Sequence, residues 1–322
     1  MTRKHLLRAV LLAALASVLV YAVLAALTDA QAVAAALRDF PLEVLAAMVA
    51  LTLVCYLLRT LRLRYLVGLV NCPLAYRDAA YIQFSGMTMT VTPGKVGEVL
   101  KAYLAREICG LRMSRGVAIV FCERLADLIA VLVLSVGGAS LLGGGWFGLA
   151  IAMLVVALGT ITVSSPRFHE FALRFIESRK WARRHHASAS AISDTLRIVL
   201  SPRHFATAIG IAIVAWGAEG VAFALSLRAL GFTELGVWPA VALYAASTVI
   251  GALVFLPGGI GLTELSITGL LVAAGMAGPD ATAATVLIRL VTMWFGVGLG
   301  WLVFASRPGL LRGFLGMPDS GA

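Results

Sequence analysis

The sequence predicts an all-α fold: a polytopic membrane helix bundle with inverted repeats, built from six full transmembrane helices and two re-entrant broken hairpins. Three observations predict it. Of 322 residues 61% are hydrophobic and 13% charged, with a mean hydropathy of +0.95. That is too little charge to cover a water-facing surface. Six apolar runs are each long enough to cross a hydrocarbon core of roughly 30 Å as a helix. Two further apolar stretches are interrupted near their middle by proline and glycine.

The first run, Leu6 to Leu27, follows the basic stretch Met1 to Arg8. It resembles a secretory signal but exceeds a cleaved signal's apolar region, so a retained first helix is expected. The second run is Leu42 to Val67, the third Gly116 to Leu142 and the fourth Trp146 to Val163. The fifth is Phe205 to Leu227 and the last Ala281 to Ala305. Between them, Tyr81 to Ile108 and Val237 to Gly275 are the broken stretches.

Orientation follows from where the basic residues fall. Arg3, Lys4 and Arg8 place the N-terminus in the cytoplasm, and the loop with Asp29, Arg38, Asp39 and Glu43 belongs outside. Arg59, Arg62 and Arg64 end the second helix on the cytoplasmic side, where Lys95, Lys101, Arg106, Arg112 and Arg115 hold the next stretch. Residues 81–108 therefore enter the membrane and return to the cytoplasm. The third helix then goes out, Gly143 to Gly145 turn, and the fourth comes back. The loop at about 164–203 carries eight arginines and lysines and is expected to be cytoplasmic. It includes an amphipathic candidate, Pro166 to Trp181, that reads equally as a headgroup-bound helix or a solvated loop. The loop Gly231 to Gly236 has Glu234 and no lysine or arginine, and Arg307 and Arg312 follow the last helix. Both termini are thus cytoplasmic, and residues 237–275 open to the outside.

Opposed hairpins are what an inverted duplication produces. Pro93-Gly94-Lys95-Val96-Gly97-Glu98 reads against Pro257-Gly258-Gly259-Ile260-Gly261 with Glu264. Pro93 to Arg124 and Pro257 to Arg289 span 31 and 32 residues. The whole chain, 1–322, reads as one transmembrane domain with repeat halves at about 42–143 and 205–305. Proline and glycine end a helix there, and the freed backbone groups must line an enclosed cavity rather than face lipid. The second half-helix turns its N-terminal N–H groups toward that cavity, a place for an anion.

Charges inside apolar helices are costly and are usually paired or functional. Glu123 and Asp127 share a face of the third helix, and Arg124 reaches Asp127 at i, i+3. A self-satisfied ion cluster that pins helices fits this pattern as well as a binding site does. Arg289 has no acidic neighbour in its own helix, so Glu264, Glu219 or a ligand phosphate must face it. Glu219 lies between Gly217 and Gly220, where close backbone packing would enclose it; a proton or counterion role and a plain bond to Arg289 both fit. Glu98 and Glu264 follow the breaks and share these alternatives, and Lys95 suits a phosphate. Cys55, Cys72, Cys109 and Cys122 show no metal or disulfide spacing, so small packing residues are expected. The formal charge of +10 sits at helix ends, which argues against nucleic acid.

The run Thr92 to Glu98, Glu123-Arg124 with Asp127, and Pro257 to Glu264 followed by Arg289 together resemble one family. It is the transmembrane, flippase-like domain of the lysylphosphatidylglycerol synthase (multiple peptide resistance factor) family, and the resemblance covers nearly the whole chain. It implies a multi-pass protein of the bacterial or archaeal inner membrane that moves a phospholipid or glycolipid between leaflets. Stand-alone members are associated with hopanoid and glycosyl-lipid pathways. The chain departs from the full-length synthase in lacking the soluble aminoacyl-transferase domain, since about 17 residues follow the last helix. The expected partner is therefore a membrane lipid (anionic, aminoacylated, glycosylated or polyprenyl), with a homodimer or a lipid-pathway enzyme as further associates. No cofactor, metal or catalytic residue is expected. Two other functions compete: an enzyme acting on a polyprenyl (pyro)phosphate lipid, and a non-transporting partner of a lipid-linked glycosyltransferase. For the enzyme, the second break offers only Thr263 and Glu264, and His5, His169, His185, His186 and His204 all lie in basic cytoplasmic regions.

Overall fold

The computed structural model describes residues 3–90, 99–139, 154, 165, 186–252 and 257–315, and every described element is helical. The chain begins with α1 (Arg3–Thr28) and α2 (Ala30–Arg38), which meet at an angle of 111°. Asp29 makes the corner: its carboxylate accepts from Gln31 N at 2.9 Å and Ala32 N at 3.1 Å, capping a new helix. The sequence alone predicts an external loop here. An Asp at the corner starts a helix as readily as it marks a turn, and Val33 anchors α2 by burial.

α3 (Leu42–Gly68) and α8 (Pro202–Ala229) form the centre, packed antiparallel. One apolar core gathers Leu63, Leu66 and Val67 from the end of α3 with Phe205, Ala208 and Ala212 from the start of α8. The other gathers Met48 from the start of α3 with Ala222, Phe223 and Leu227 from the end of α8. The first hairpin, α4 (Tyr76–Met87) and α5 (Val99–Cys109), contributes Tyr81, Ile82, Leu100 and Leu104 to the first core. The second, α9 (Val237–Ala252) and α10 (Leu262–Ala273), contributes Leu243, Tyr244, Ile267 and Leu271 to the second. The hairpins thus sit at opposite ends of the central pair.

Between them run α6 (Met113–Ala139) and a last span made of α11 (Gly278–Arg289), a π-helical segment (Leu290–Trp294) and α12 (Phe295–Ala305). Packing is reciprocal. α4 lies on α3 and also on α12 of the other half, while α9 lies on α8 and also on α6. α5 packs on α6 as α10 packs on α11. Two short helices, α7 (His186–Val199) and α13 (Pro308–Leu315), complete the described chain.

Three described helices are long and apolar enough to cross a membrane, α3, α8 and the α11–α12 span, and the bent α1–α2 pair would make a fourth. α6 has 27 residues but carries Glu123, Arg124 and Asp127 in its middle. The 16 residues of α9 and 12 of α10 extend only about 24 and 18 Å, short of a crossing. The fourth apolar run (Trp146 to Val163) and the amphipathic candidate from Pro166 to Trp181 lie outside the described residues. So does the first break, with Pro93, Gly94, Lys95, Gly97 and Glu98.

One covalent feature differs from the sequence reading. Cys72 and Cys109 form a disulfide with a Cα–Cα distance of 6.1 Å. Thirty-seven residues separate them, and only the folding of the first hairpin brings them together. Cys55 and Cys122 are buried free thiols, as packing residues should be.

Candidate functional site

At the second break the backbone reverses through Gly258, Gly259 and Gly261, with φ of 61°, 67° and 94°. These are left-handed conformations that glycine adopts without a Cβ penalty. At Gly259 a Cβ would also stand 2.6 Å from Thr263 Oγ1. Glu264, at the third position of α10, turns Oε2 back to accept from Gly261 N at 2.7 Å. Its other oxygen, Oε1, accepts from Arg289 Nε at 2.7 Å. The same guanidinium donates from NH2 to Gly258 O at 2.7 Å and to Met293 Sδ at 3.0 Å. Glu264 is 0% exposed and Arg289 9%. Of the partners the sequence offered Arg289, Glu264 is the one the fold supplies. Arg289 ends α11 where the π-helical segment begins, and the carbonyl of Thr292 in that segment accepts from Tyr56 OH at 2.7 Å.

A second assembly surrounds the acidic face of α6. Asp127 accepts from Arg62 NH1 at 2.7 Å and from Trp216 Nε1 at 3.2 Å, and pairs with Arg124 NH2 at 2.9 Å. Glu123 faces Lys101 Nζ at 3.2 Å and Arg62 Nε at 3.7 Å. Lys101 Nζ also donates to Gln83 Oε1 at 2.8 Å, tying both arms of the first hairpin to α6. Arg62, Glu123, Asp127 and Lys101 are all buried. The i, i+3 contact of Arg124 with Asp127 and the shared face of Glu123 and Asp127 hold as read from spacing.

Glu219 extends this second assembly toward the second hairpin. It accepts from Cys55 Sγ at 3.0 Å and Tyr244 OH at 3.0 Å, and Arg59 NH2 stands 3.6 Å away. Arg59 in turn lies over the Trp216 ring at 4.7 Å, next to Asp127's donor. Glu219 does not contact Arg289 directly. Gly220 does permit close packing, since a Cβ there would meet Val241 Cγ1 at 2.8 Å, whereas Gly217 faces open space. Polar contacts therefore run unbroken from Tyr244 on the second hairpin to Gln83 on the first. Among the described residues, no three of His, Cys, Asp and Glu gather as metal ligands would.

A family model described as the lysylphosphatidylglycerol synthase TM region matches residues 10–300. The chain belongs to that family. One relative is a UPF0104 membrane protein of Methanothermobacter thermautotrophicus, 23% identical over 227 residues, which cover 65% of this chain and 67% of the relative. The span matched to the lysylphosphatidylglycerol synthase TM region holds every residue of both charge assemblies.

Sequence reasoning missed Arg59, Arg62 and Lys101 as site residues, because it counted them among the basic residues that mark a cytoplasmic helix end. α3 runs six residues beyond Arg62, to Gly68. The signal was present: Cys55, Arg59, Arg62 and Leu66 fall at i, i+4, i+7 and i+11, one face of a helix. Trp216 and Tyr244, apolar in composition, gave no polar signal.

Proposed function

We propose that this protein carries the headgroup of an anionic lipid between the two leaflets of a bacterial inner membrane. In this reading six helices span the bilayer and the hairpins α4–α5 and α9–α10 are re-entrant. They open to opposite faces, with both termini cytoplasmic. The halves are inverted repeats, a plan suited to alternating exposure of one midplane site. The headgroup crosses among the buried arginines while its acyl chains stay in lipid. Lys95, Arg124 and Arg289 would meet the phosphate, with the N-terminus of α10 adding backbone donors.

The observation that carries the reading is Arg289. It is buried, joined to Glu264, and bonded to a carbonyl of the break itself. A guanidinium held by the turn of a hairpin exchanges a carboxylate for a phosphate when that hairpin shifts. Membership of the lysylphosphatidylglycerol synthase TM family supports the lipid class, and the reciprocal packing of α4 and α9 supports the repeat. The reading is of a carrier and not a catalyst.

Proteoliposomes with a fluorescent phosphatidylglycerol test it, scored for leaflet change by external quenching and for chemical change by chromatography. Transfer with an unaltered lipid is expected, and its loss in Arg289→Ala and Glu264→Ala proteins that still insert. Unchanged transfer in both variants overturns the site; a chemically altered lipid overturns the carrier in favour of an enzyme.

A further inference from the structure

The Cys72–Cys109 bridge lies across the base of the first hairpin. Cys72 sits between the end of α3 and the start of α4, and Cys109 is the last residue of α5. The ring it closes contains both arms of the hairpin, α4 and α5. With the bridge made, α4 and α5 cannot separate at their feet. The second hairpin has no cysteine anywhere in it.

The surroundings of the bridge are basic. Arg64, Arg77, Arg106 and Arg112 are exposed close to the two cysteines in sequence and outnumber the exposed Glu107, and Arg64 Nε donates to Leu74 O at 3.0 Å, two residues from Cys72. Exposed arginines at this density mark a cytoplasmic face, and they do so even after the buried Arg59 and Arg62 are discounted. Disulfides facing a reducing cytoplasm are transient and sense redox state. A permanent structural bridge belongs on the other side of the membrane.

We infer that Cys72 and Cys109 form a reversible redox clasp that locks the first hairpin closed when oxidised and frees it when reduced. Closure uses a low-molecular-weight disulfide such as oxidised glutathione. The thiolate of Cys109, the more exposed of the two, attacks one sulfur, breaks that S–S bond and releases one small thiol. The thiolate of Cys72 then displaces the second small thiol and completes the bridge. Two electrons pass to the small disulfide, and the two cysteine protons leave with its thiols. A dithiol reductant reverses both steps. The clasp stands on geometry and charge; its effect on lipid movement rests on the function proposed above.

The full chain in phosphatidylglycerol-containing liposomes is equilibrated with oxidised or reduced glutathione, then denatured and alkylated for intact mass. Deuterium uptake and leaflet exchange are followed in parallel. After oxidation two of the four cysteines should resist alkylation, and after reduction none. Reduction should raise uptake in α4 and α5 several-fold, leave α9 and α10 unchanged, and speed leaflet exchange. Cys72→Ser and Cys109→Ser should match the reduced protein in both buffers. Four alkylated thiols in both states overturn the clasp, as does a bridge that forms without changing uptake in α4 and α5. A shift in uptake with no lipid exchange in either state upholds the clasp and overturns the transport reading.

Discussion

The two oxygens of Glu264 are committed to different partners: one caps the start of α10 and the other holds Arg289. Two functions in one side chain make alanine a blunt probe, because it removes the cap and the counterion together. Arg62 is similar in kind. It is 1% exposed and reaches both carboxylates of α6, with NH1 at 2.7 Å from Asp127. Desolvating so many charges is offset only while all of them keep partners. Arg62→Ala would leave Asp127 and Glu123 buried with fewer partners, and breaking such a pair costs about 3–5 kcal/mol. The expected outcome is a clear fall in the thermal unfolding midpoint in detergent. Arg62→Lys should fall nearly as far, because one ammonium cannot reproduce the fork that meets two acids. A midpoint within a degree of wild type in either variant would show that the pairing is idle.

Among the elements, the second break is the most specified by its residues. Gly259 combines a φ of 67° with a Cβ position 2.6 Å from Thr263 Oγ1. Gly259→Ala should therefore strain the turn by about 1–2 kcal/mol and displace Gly258 O from Arg289. Reduced lipid transfer together with a lowered unfolding midpoint is expected, and normal transfer would count against a strict turn geometry. Much of this was legible from residue order. Proline and glycine after an apolar run announce the break, and an arginine without an acid in its own helix announces a partner elsewhere. The rest was not legible, for physical reasons. A basic residue within a turn of a helix end looks the same whether it faces water or a carboxylate on another helix. Arg59 and Arg62 were misread on that account. Cys72 and Cys109 carry no local pattern, since their meeting depends on how the two arms of the hairpin pack across a separation of 37 residues. Asp29 was expected in a loop and instead caps α2.

For the molecule as a whole, the distribution of exposed charge sets the predicted orientation. Exposed arginines flank both arms of the first hairpin, while the only charged residue of the loop Gly231 to Gly236 is Glu234. A Thr233→Cys protein in intact cells should label with a membrane-impermeant maleimide added outside. The native cysteines should not interfere, because Cys55 and Cys122 are buried and Cys72→Ser with Cys109→Ser removes the other two from the background. Labelling only after the cells are opened would invert the assignment.

The packing of α4 on α12, and of α9 on α6, has a consequence for how the chain was assembled. Each half supplies a limb that the other half needs as a wall, in the manner of interlocked fingers. Neither half has a complete interior alone, since its own final helix is covered by its sister's arm. Cutting the chain in the 164–203 region and expressing the pieces separately should give two fragments that are each degraded. Expressed together, they should recover as a stable complex that co-purifies through a tag on one piece. An N-terminal piece that accumulates unaided to wild-type levels would show that the limbs are ornaments and not walls.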